Sequence, residues 1–241
     1  MLIRVVNPNT TASMTALIER SARAVAGPGT TIEAVTSTMG PASIESHYDE
    51  ALAVPGVLAA VSTPSDGYVL ACFGDPGLDA AREVAHGPVV GIAEAAMHAA
   101  SFVGRGFSVV TTLDRTRGRA WELAARYVAP GVCRGVYACD IPVLDLESDP
   151  AVLKQVVDLS RTALERDGSD VIVLGCAGMA SLCAAASAEL GVPVIDGVAA
   201  AVTTTEALIR LGAVTSPRGE YAAPPAKPYT GLLSGFGRSP G

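Results

Sequence analysis

Short β-branched runs alternate along the chain with longer stretches whose apolar residues recur three and four apart. Leu2 to Val6 is an apolar run ended by Asn7-Pro8-Asn9, and Thr10 or Thr11 can cap a helix with the apolar face Met14, Leu17, Ile18, Ala22 and Val25. Gly27-Pro28-Gly29 stops it. Thr31 to Thr36 reads as a second strand, Ser37 to Ser43 as a polar loop, and Ile44 to Val54 as a helix that Pro55-Gly56 interrupts before it resumes through Val61. A third strand, Tyr68 to Leu70, is followed by a helix over Leu78 to Ala85 and a fourth strand, Val89 to Ile92, introduced by Gly87-Pro88.

The second half replays this order. Phe107 to Leu113 is a strand, Arg115 to Val128 a helix, Gly135 to Cys139 a strand, and Pro150 to Arg166 an amphipathic helix with Val152, Leu153, Val156, Val157 and Leu164 on its apolar face. Val171 to Leu174 and Val192 to Ile195 are the last strands, and Ala199 to Leu211 the last helix. Leu70 to Ala81 and Leu174 to Ala185 align without a gap and share six of twelve positions, Cys72 and Cys176 among them. The same offset of 104 relates Val5 to Val109 and Ile32 to Val136, which marks a duplication.

This alternation predicts an α/β fold of two pseudo-symmetric lobes, each a mostly parallel sheet flanked by helices, with the active site in the cleft between them. Lobe 1 is expected over 1–95 plus about 200–229, because the last helix follows the second lobe's last strand, and lobe 2 over 96–199. From Thr215 onward Pro, Gly and Ser dominate, and 230–241 reads as a flexible tail.

The composition of the 241 residues narrows the chemistry. Hydrophobic residues make up 49% and charged residues 17%, and mean hydropathy is +0.38, so a large apolar core is expected. A formal charge of −7, with no basic cluster interleaved with aromatics, excludes nucleic acid and anionic membrane as partners and leaves a small molecule. Val171 to Ala188 carries no charge, yet Gly175, Gly178 and two serines make it a buried strand feeding a packed helix rather than a membrane span. The N-terminus reads as a strand and polar turn without a basic region followed by an apolar core and cleavage site, so a cytoplasmic location is the expectation.

No glycine-rich phosphate loop follows any strand, the three histidines lack metal-ligand spacing, and the only lysines, Lys154 and Lys227, fall on a helix surface and in the tail. The expected chemistry therefore needs no cofactor. The five cysteines are dispersed and odd in number, so a disulfide framework is not expected. Cys133, Cys139 and Cys183 read as small buried hydrophobes. His98 and Met97 read as packing residues, Trp121 as lying on its helix face, and His47 as a solvated helix residue.

Cys72 and Cys176 differ from those three in their duplicated context and in the small residues around them. Each is expected at the carboxyl end of a strand facing a helix N-terminus, where α/β sheets place ligand chemistry and where backbone N–H groups lower a thiol pKa. Two thiols on opposite sides of a cleft suit inversion at carbon: one thiolate removes a proton from one face and the other thiol returns one to the opposite face. Asn7, Ser43, Thr111 and Thr112, with the backbone N–H groups of Phe73, Gly74, Ala177 and Gly178 after the cysteines, are the expected donors to the developing oxyanion.

The stretches Asn7-Pro-Asn9, Gly40-Pro-Ala-Ser-Ile-Glu45, Ala71-Cys-Phe-Gly-Asp-Pro-Gly77, Val90-Gly-Ile-Ala-Glu-Ala95 and Leu174-Gly-Cys-Ala-Gly-Met179 closely resemble hydantoin racemases of the aspartate/glutamate racemase superfamily, over roughly Met1 to Tyr229. The resemblance implies cofactor-independent two-base racemisation and a homo-oligomer, tetramer or hexamer. Position by position, Cys72 and Cys176 match the acid/base cysteines, and Asn7, Ser43, Ile44, Phe73, Thr111, Ala177 and Gly178 fall where the family lines its pocket. Phe73-Gly74 and Ala177-Gly178 replace the Asn-Thr or Thr-type residues that follow the cysteines of amino-acid racemases, which turns the expectation from free amino acids to 5-monosubstituted hydantoins.

A neutral hydantoin ring suits a pocket in which no arginine is placed near either cysteine, and allantoin, a 5-ureidohydantoin, would need further polar contacts that the sequence does not identify. Allantoin racemase is the nearest alternative, followed by maleate isomerase and an arylmalonate decarboxylase-like enzyme. The decarboxylase keeps only the second cysteine, so Cys72 counts against it. A non-enzymatic binding module of two lobes is disfavoured by the matched thiols.

Overall fold

The computed structural model describes residues 1–146 and 151–237. In chain order its first half holds β1 (Leu2–Asn7), α1 (Ala12–Val25), β2 (Thr31–Thr36), α2 (His47–Val61), β3 (Gly67–Leu70), α3 (Leu78–Val84), β4 (Val89–Gly91) and α4 (Ile92–Val103). The second half holds β5 (Phe107–Thr111), α5 (Arg117–Tyr127), β6 (Cys133–Ala138), α6 (Val152–Asp167), β7 (Val171–Leu174), α7 (Cys183–Leu190), β8 (Val194–Ile195) and α8 (Gly197–Arg210). Short 3₁₀ turns fall at Asp114–Thr116, Val143–Asp145, Ala177–Leu182, Gly219–Tyr221 and Gly231–Phe236.

Two parallel four-stranded sheets result, ordered β2-β1-β3-β4 and β6-β5-β7-β8. The strands facing helices on both sides are fully apolar runs, as parallel sheets require: β3 and β7 are buried at every residue. The central pairs match at the 104 offset, since Val5 pairs with Val69 as Val109 pairs with Val173. The third position of the repeat is displaced. Val5 lies opposite Ala34, whereas Val109 lies opposite Val136, two residues short of the offset partner, after an irregularity between Phe107 and Ser108.

The largest apolar cluster runs through both halves, from Ile3, Val5 and Ile18 through Ile92 and Met97 to Phe107, Val109 and Val202. Smaller clusters fill the outer faces of each sheet. Helix α8 packs on α1, α4, β3 and β4. Its Glu206 accepts hydrogen bonds from Gly27 N and Thr30 Oγ1, and its N-cap Asp196 accepts one from Ser21 Oγ at 2.6 Å. The expected lobe boundary at 95/96 lies inside α4.

Three expectations are corrected. Ile44 and Glu45 precede α2, because Ser46 is the N-cap: its Oγ accepts from Asp49 N at 3.1 Å. Pro55-Gly56 does not break that helix. Gly56 instead lets α2 press against the loop after β2, where a Cβ would come within 2.0 Å of Ser37 Oγ. Ile92 begins a helix rather than ending a strand, and α4 occupies a stretch to which the sequence reading assigns no element.

The start of the helix expected from Pro150 lies outside the described residues, and α6 begins at Val152. The tail follows α3, where Tyr221 Oη donates to Asp79 Oδ1 at 3.0 Å. Of 230–241, Gly231–Phe236 form a 3₁₀ turn and 238–241 lie outside the described residues. Among the described residues no helix is long and apolar enough to cross a membrane.

Candidate active site

The two central strands β3 and β7 end at Leu70 and Leu174, and two residues beyond each stands a cysteine. Cys72 and Cys176 line one cavity of about 70 Å³, joined by Ile44, Phe73, Gly74, Thr111, Thr112, Ala177 and Gly178, all expected from the sequence. The register match at β1/β3 and β5/β7 explains the pairing: equivalent strands lift equivalent loops to the same edge.

Asn7 and Ser43 do not line the cavity. Asn7 is buried, and its Nδ2 donates to Asn9 Oδ1 at 2.8 Å and Thr15 Oγ1 at 3.0 Å while its Oδ1 accepts from Asn9 N. Its polar groups are consumed in shaping the turn that presents Asn9, which does reach the cavity. Ser43 is displaced by its neighbour Ile44, and the adjacent Glu45 accepts from Val143 N at 2.9 Å, tying the loop after β2 across the cleft. Thr111 keeps its place, but its hydroxyl donates to Gly175 O at 3.1 Å and so holds the approach to Cys176.

Each sulfur receives a backbone N–H from two residues further on: Gly74 for Cys72, and Gly178, with Met179, for Cys176. The thiols are nonetheless not acidic. Burial pushes Cys72 up to about 12 and Cys176 up to about 11, and the backbone donors offset only part of this. The expected helix N-terminus is missing beside Cys72, because α3 does not begin until Leu78. Cys176 directly precedes a 3₁₀ turn and has two donors, in keeping with its lower value. Charge on Cys176 raises Cys72 further, so one proton leaves the facing pair before the other.

The sequence reading placed no arginine near the cysteines; the structure places Arg119 in the cavity, opposite Glu50. Arg119 reaches from α5 to the Cys72 loop, where its Nη2 donates to Gly74 O at 2.8 Å. Its Nε lies 3.3 Å from Glu50 Oε2 but out of line for a hydrogen bond, leaving that buried N–H without an acceptor. Burial raises the Glu50 pKa, and Arg119 opposes the rise. Arg115, Arg117 and Arg119 crowd the start of a helix, where the macrodipole disfavours cations, and that misplacement was the available signal. Met14, Ala71, Thr116, Ala120, Val143 and Gly175 complete the lining and carry no such mark.

Asp75 anchors the Cys72 loop. Held at φ 46°, it accepts from Ala93 N at 3.1 Å and Glu94 N at 3.0 Å, capping α4 from outside it. Burial pushes its pKa up to about 7. A Cβ on Gly91 would lie 2.3 Å from Asp75 Cγ. Gly91→Ala is therefore expected to destabilise the protein by about 1–3 kcal/mol, the range for overpacking, read as a lower urea midpoint at unchanged m value; an unchanged midpoint would contradict this packing.

The family model described as Asp/Glu/Hydantoin racemase matches residues 3–205. A hydantoin racemase of Pseudomonas sp. (strain NS671) is 45% identical over 99% of this chain and 98% of its own. A hydantoin racemase of Rhizobium meliloti is 48% identical, covering 96% and 98%. Among solved structures, an allantoin racemase from Klebsiella pneumoniae superposes with a TM-score of 0.95 at 48% identity, covering 98% of this chain and 99% of that one.

Proposed function

The chain belongs to the Asp/Glu/Hydantoin racemase family, and from that premise we propose that it racemises 5-monosubstituted hydantoins by proton transfer between two thiols. The observation that carries this reading is the pair Cys72 and Cys176 lining one cavity, each with the N–H of the residue two positions on directed at its sulfur. One cysteine, as thiolate, takes the C5 proton from its face. The electron pair delocalises into the ring carbonyl, giving a planar enolate, and the second thiol protonates C5 from the opposite face. The roles exchange for the other enantiomer.

The residues around the thiols have separable tasks. Gly74, Gly178 and Met179 direct N–H groups at sulfur and stabilise whichever thiolate forms. Asn9 and Thr112 offer side-chain donors to the ring oxygens, and Ile44, Phe73, Ala177 and Val143 wall off water. Every step is balanced by protons alone and calls on no cofactor. The same family reading carries a cytoplasmic homo-oligomer, tetramer or hexamer.

Incubating one enantiomer of 5-benzylhydantoin in deuterium oxide with the protein tests the proposal. Loss of optical rotation should accompany deuterium uptake at C5. Unchanged rotation with no uptake on this substrate and on allantoin overturns the assignment.

A further inference from the structure

We propose that Asp75 is a positioning residue for the proton itself: its carboxylate, fixed in the Cys72 turn, keeps the proton on Cys72 and directs the first ionisation of the substrate-free site to Cys176. The inference rests on the two-thiol reading and goes beyond it by assigning the resting roles of the two cysteines. It comes from a break in the repeat. Each half of the chain has a cysteine turn and, one strand later, a helix whose first amides need acceptors. In the second half α8 is capped by its own Asp196, which accepts from Val198 N at 2.9 Å and Ala199 N at 3.3 Å. The offset of 104 puts Ile92 at that position of the first half, and α4 has no side-chain cap of its own. Its cap comes from the Cys72 turn instead. Asp75, 3% exposed, donates its own N–H to Cys72 O at 3.0 Å and accepts from Ala93 N and Glu94 N.

The same offset relates Asp75 to Met179, a fully buried apolar residue whose N–H is directed at Cys176. One turn therefore carries a carboxylate where the other carries a further N–H donor. The remaining charges are more evenly matched. Cys72 faces Cys176 and Glu50 as well as Asp75, and Cys176 faces Cys139 and Glu45. Glu50 stands 3.3 Å from the Arg119 guanidinium, and Glu45 accepts from Val143 N.

Asp75 meets no cation among the described residues. Beyond the two amides it faces Glu94 of α4 and the Tyr127 hydroxyl of α5. Arg82 is taken by Glu94 and Arg126 by Asp79, each at 2.6 Å. A buried carboxylate with neutral donors only keeps its full field, and that field opposes a thiolate in the same turn. Burial raises the Asp75 pKa to about 7 and the amides at the start of α4 limit the rise, so the charge is present above that pH and lost below it. The substrate-free site is thereby set to take the C5 proton of the enantiomer that presents it to Cys176.

The test is iodoacetamide labelling of the full chain, resolved by peptide mass into initial rates at Cys72 and Cys176, both of which are partly exposed. Below the pKa of both thiols each rate rises about tenfold per pH unit, so their ratio stays constant unless a neighbouring charge titrates. Between pH 6 and 8.5 the Cys72:Cys176 ratio should fall roughly threefold or more as Asp75 becomes charged, the scale of a unit charge acting across several ångströms of protein. The fall should vanish in Asp75→Asn, which keeps the size and tolerates the positive φ. It should persist in Glu50→Gln, which removes the other carboxylate facing Cys72 and decides the matter if Asp75→Asn does not fold. A constant ratio in the parent overturns the proposal, as does a fall that survives Asp75→Asn or is lost in Glu50→Gln. A turn merely loosened by Asp75→Asn would change access to Cys72 at every pH and leave the fall in place. Labelling needs no substrate, so failure of the racemase reading is seen separately, as absence of exchange at C5.

Discussion

Cys72→Ser and Cys176→Ser each lower kcat/KM for racemisation by about 10³-fold, within the range that a positioned acid or base contributes, while each retains deuterium exchange at C5 for one enantiomer only. The two variants should retain it for opposite enantiomers. A serine hydroxyl is too weak an acid to supply the base at neutral pH, so in each variant a single thiol remains. That thiol removes C5–H from the enantiomer whose proton faces it, exchanges with solvent, and returns deuterium to the same face. Configuration is kept and label is gained. Both cysteines line the same cavity with backbone N–H donors from which a serine oxygen also accepts, so neither variant should be disfavoured in folding. Exchange retained for the same enantiomer by both variants would mean that the thiols do not act on opposite faces.

Between pH 7 and 10, kcat/KM for racemisation should climb about tenfold per pH unit, roughly a thousandfold across the window. The sign follows from burial. Removal of the C5 proton needs a thiolate, and the lower of the two thiols is held at about 11, with the other at about 12. Each unit below the lower value removes the thiolate tenfold. The charge of the first thiolate keeps the second cysteine protonated, so the active state carries one base and one acid. Stability runs the other way. Both thiols are raised above the unfolded value of about 8.5, so their contribution is fully present below that pH and is lost as pH rises through about 11 and 12. Activity should therefore rise into the region where the urea midpoint falls. A flat rate profile from pH 7 to 10 would show that the pair ionises below pH 7.

What could be read without the structure was whatever local pattern controls. Alternating β-branched and helical periods were enough for two parallel sheets, because a strand buried on both faces must be apolar throughout. The repeat was enough to pair Cys72 with Cys176, because equivalent positions on equivalent central strands arrive at the same edge.

Tertiary structure alone decided what depends on groups distant in the chain. Helix α4 has no cap in its own sequence; its first amides are satisfied by Asp75, many residues earlier. Pro55-Gly56 reads as a break until Ser37 is seen against Gly56. Asn7 looked available until Asn9 and Thr15 took its amide. The thiol pKa values were misjudged because a local motif shows the donors beside a sulfur but not how much water the surrounding fold removes. Arg119 reached the cleft for the same reason: which carboxylate and carbonyl a long cation meets is fixed by helix packing, and only the crossing of α5 over the Cys72 loop brings it to Glu50 and Gly74.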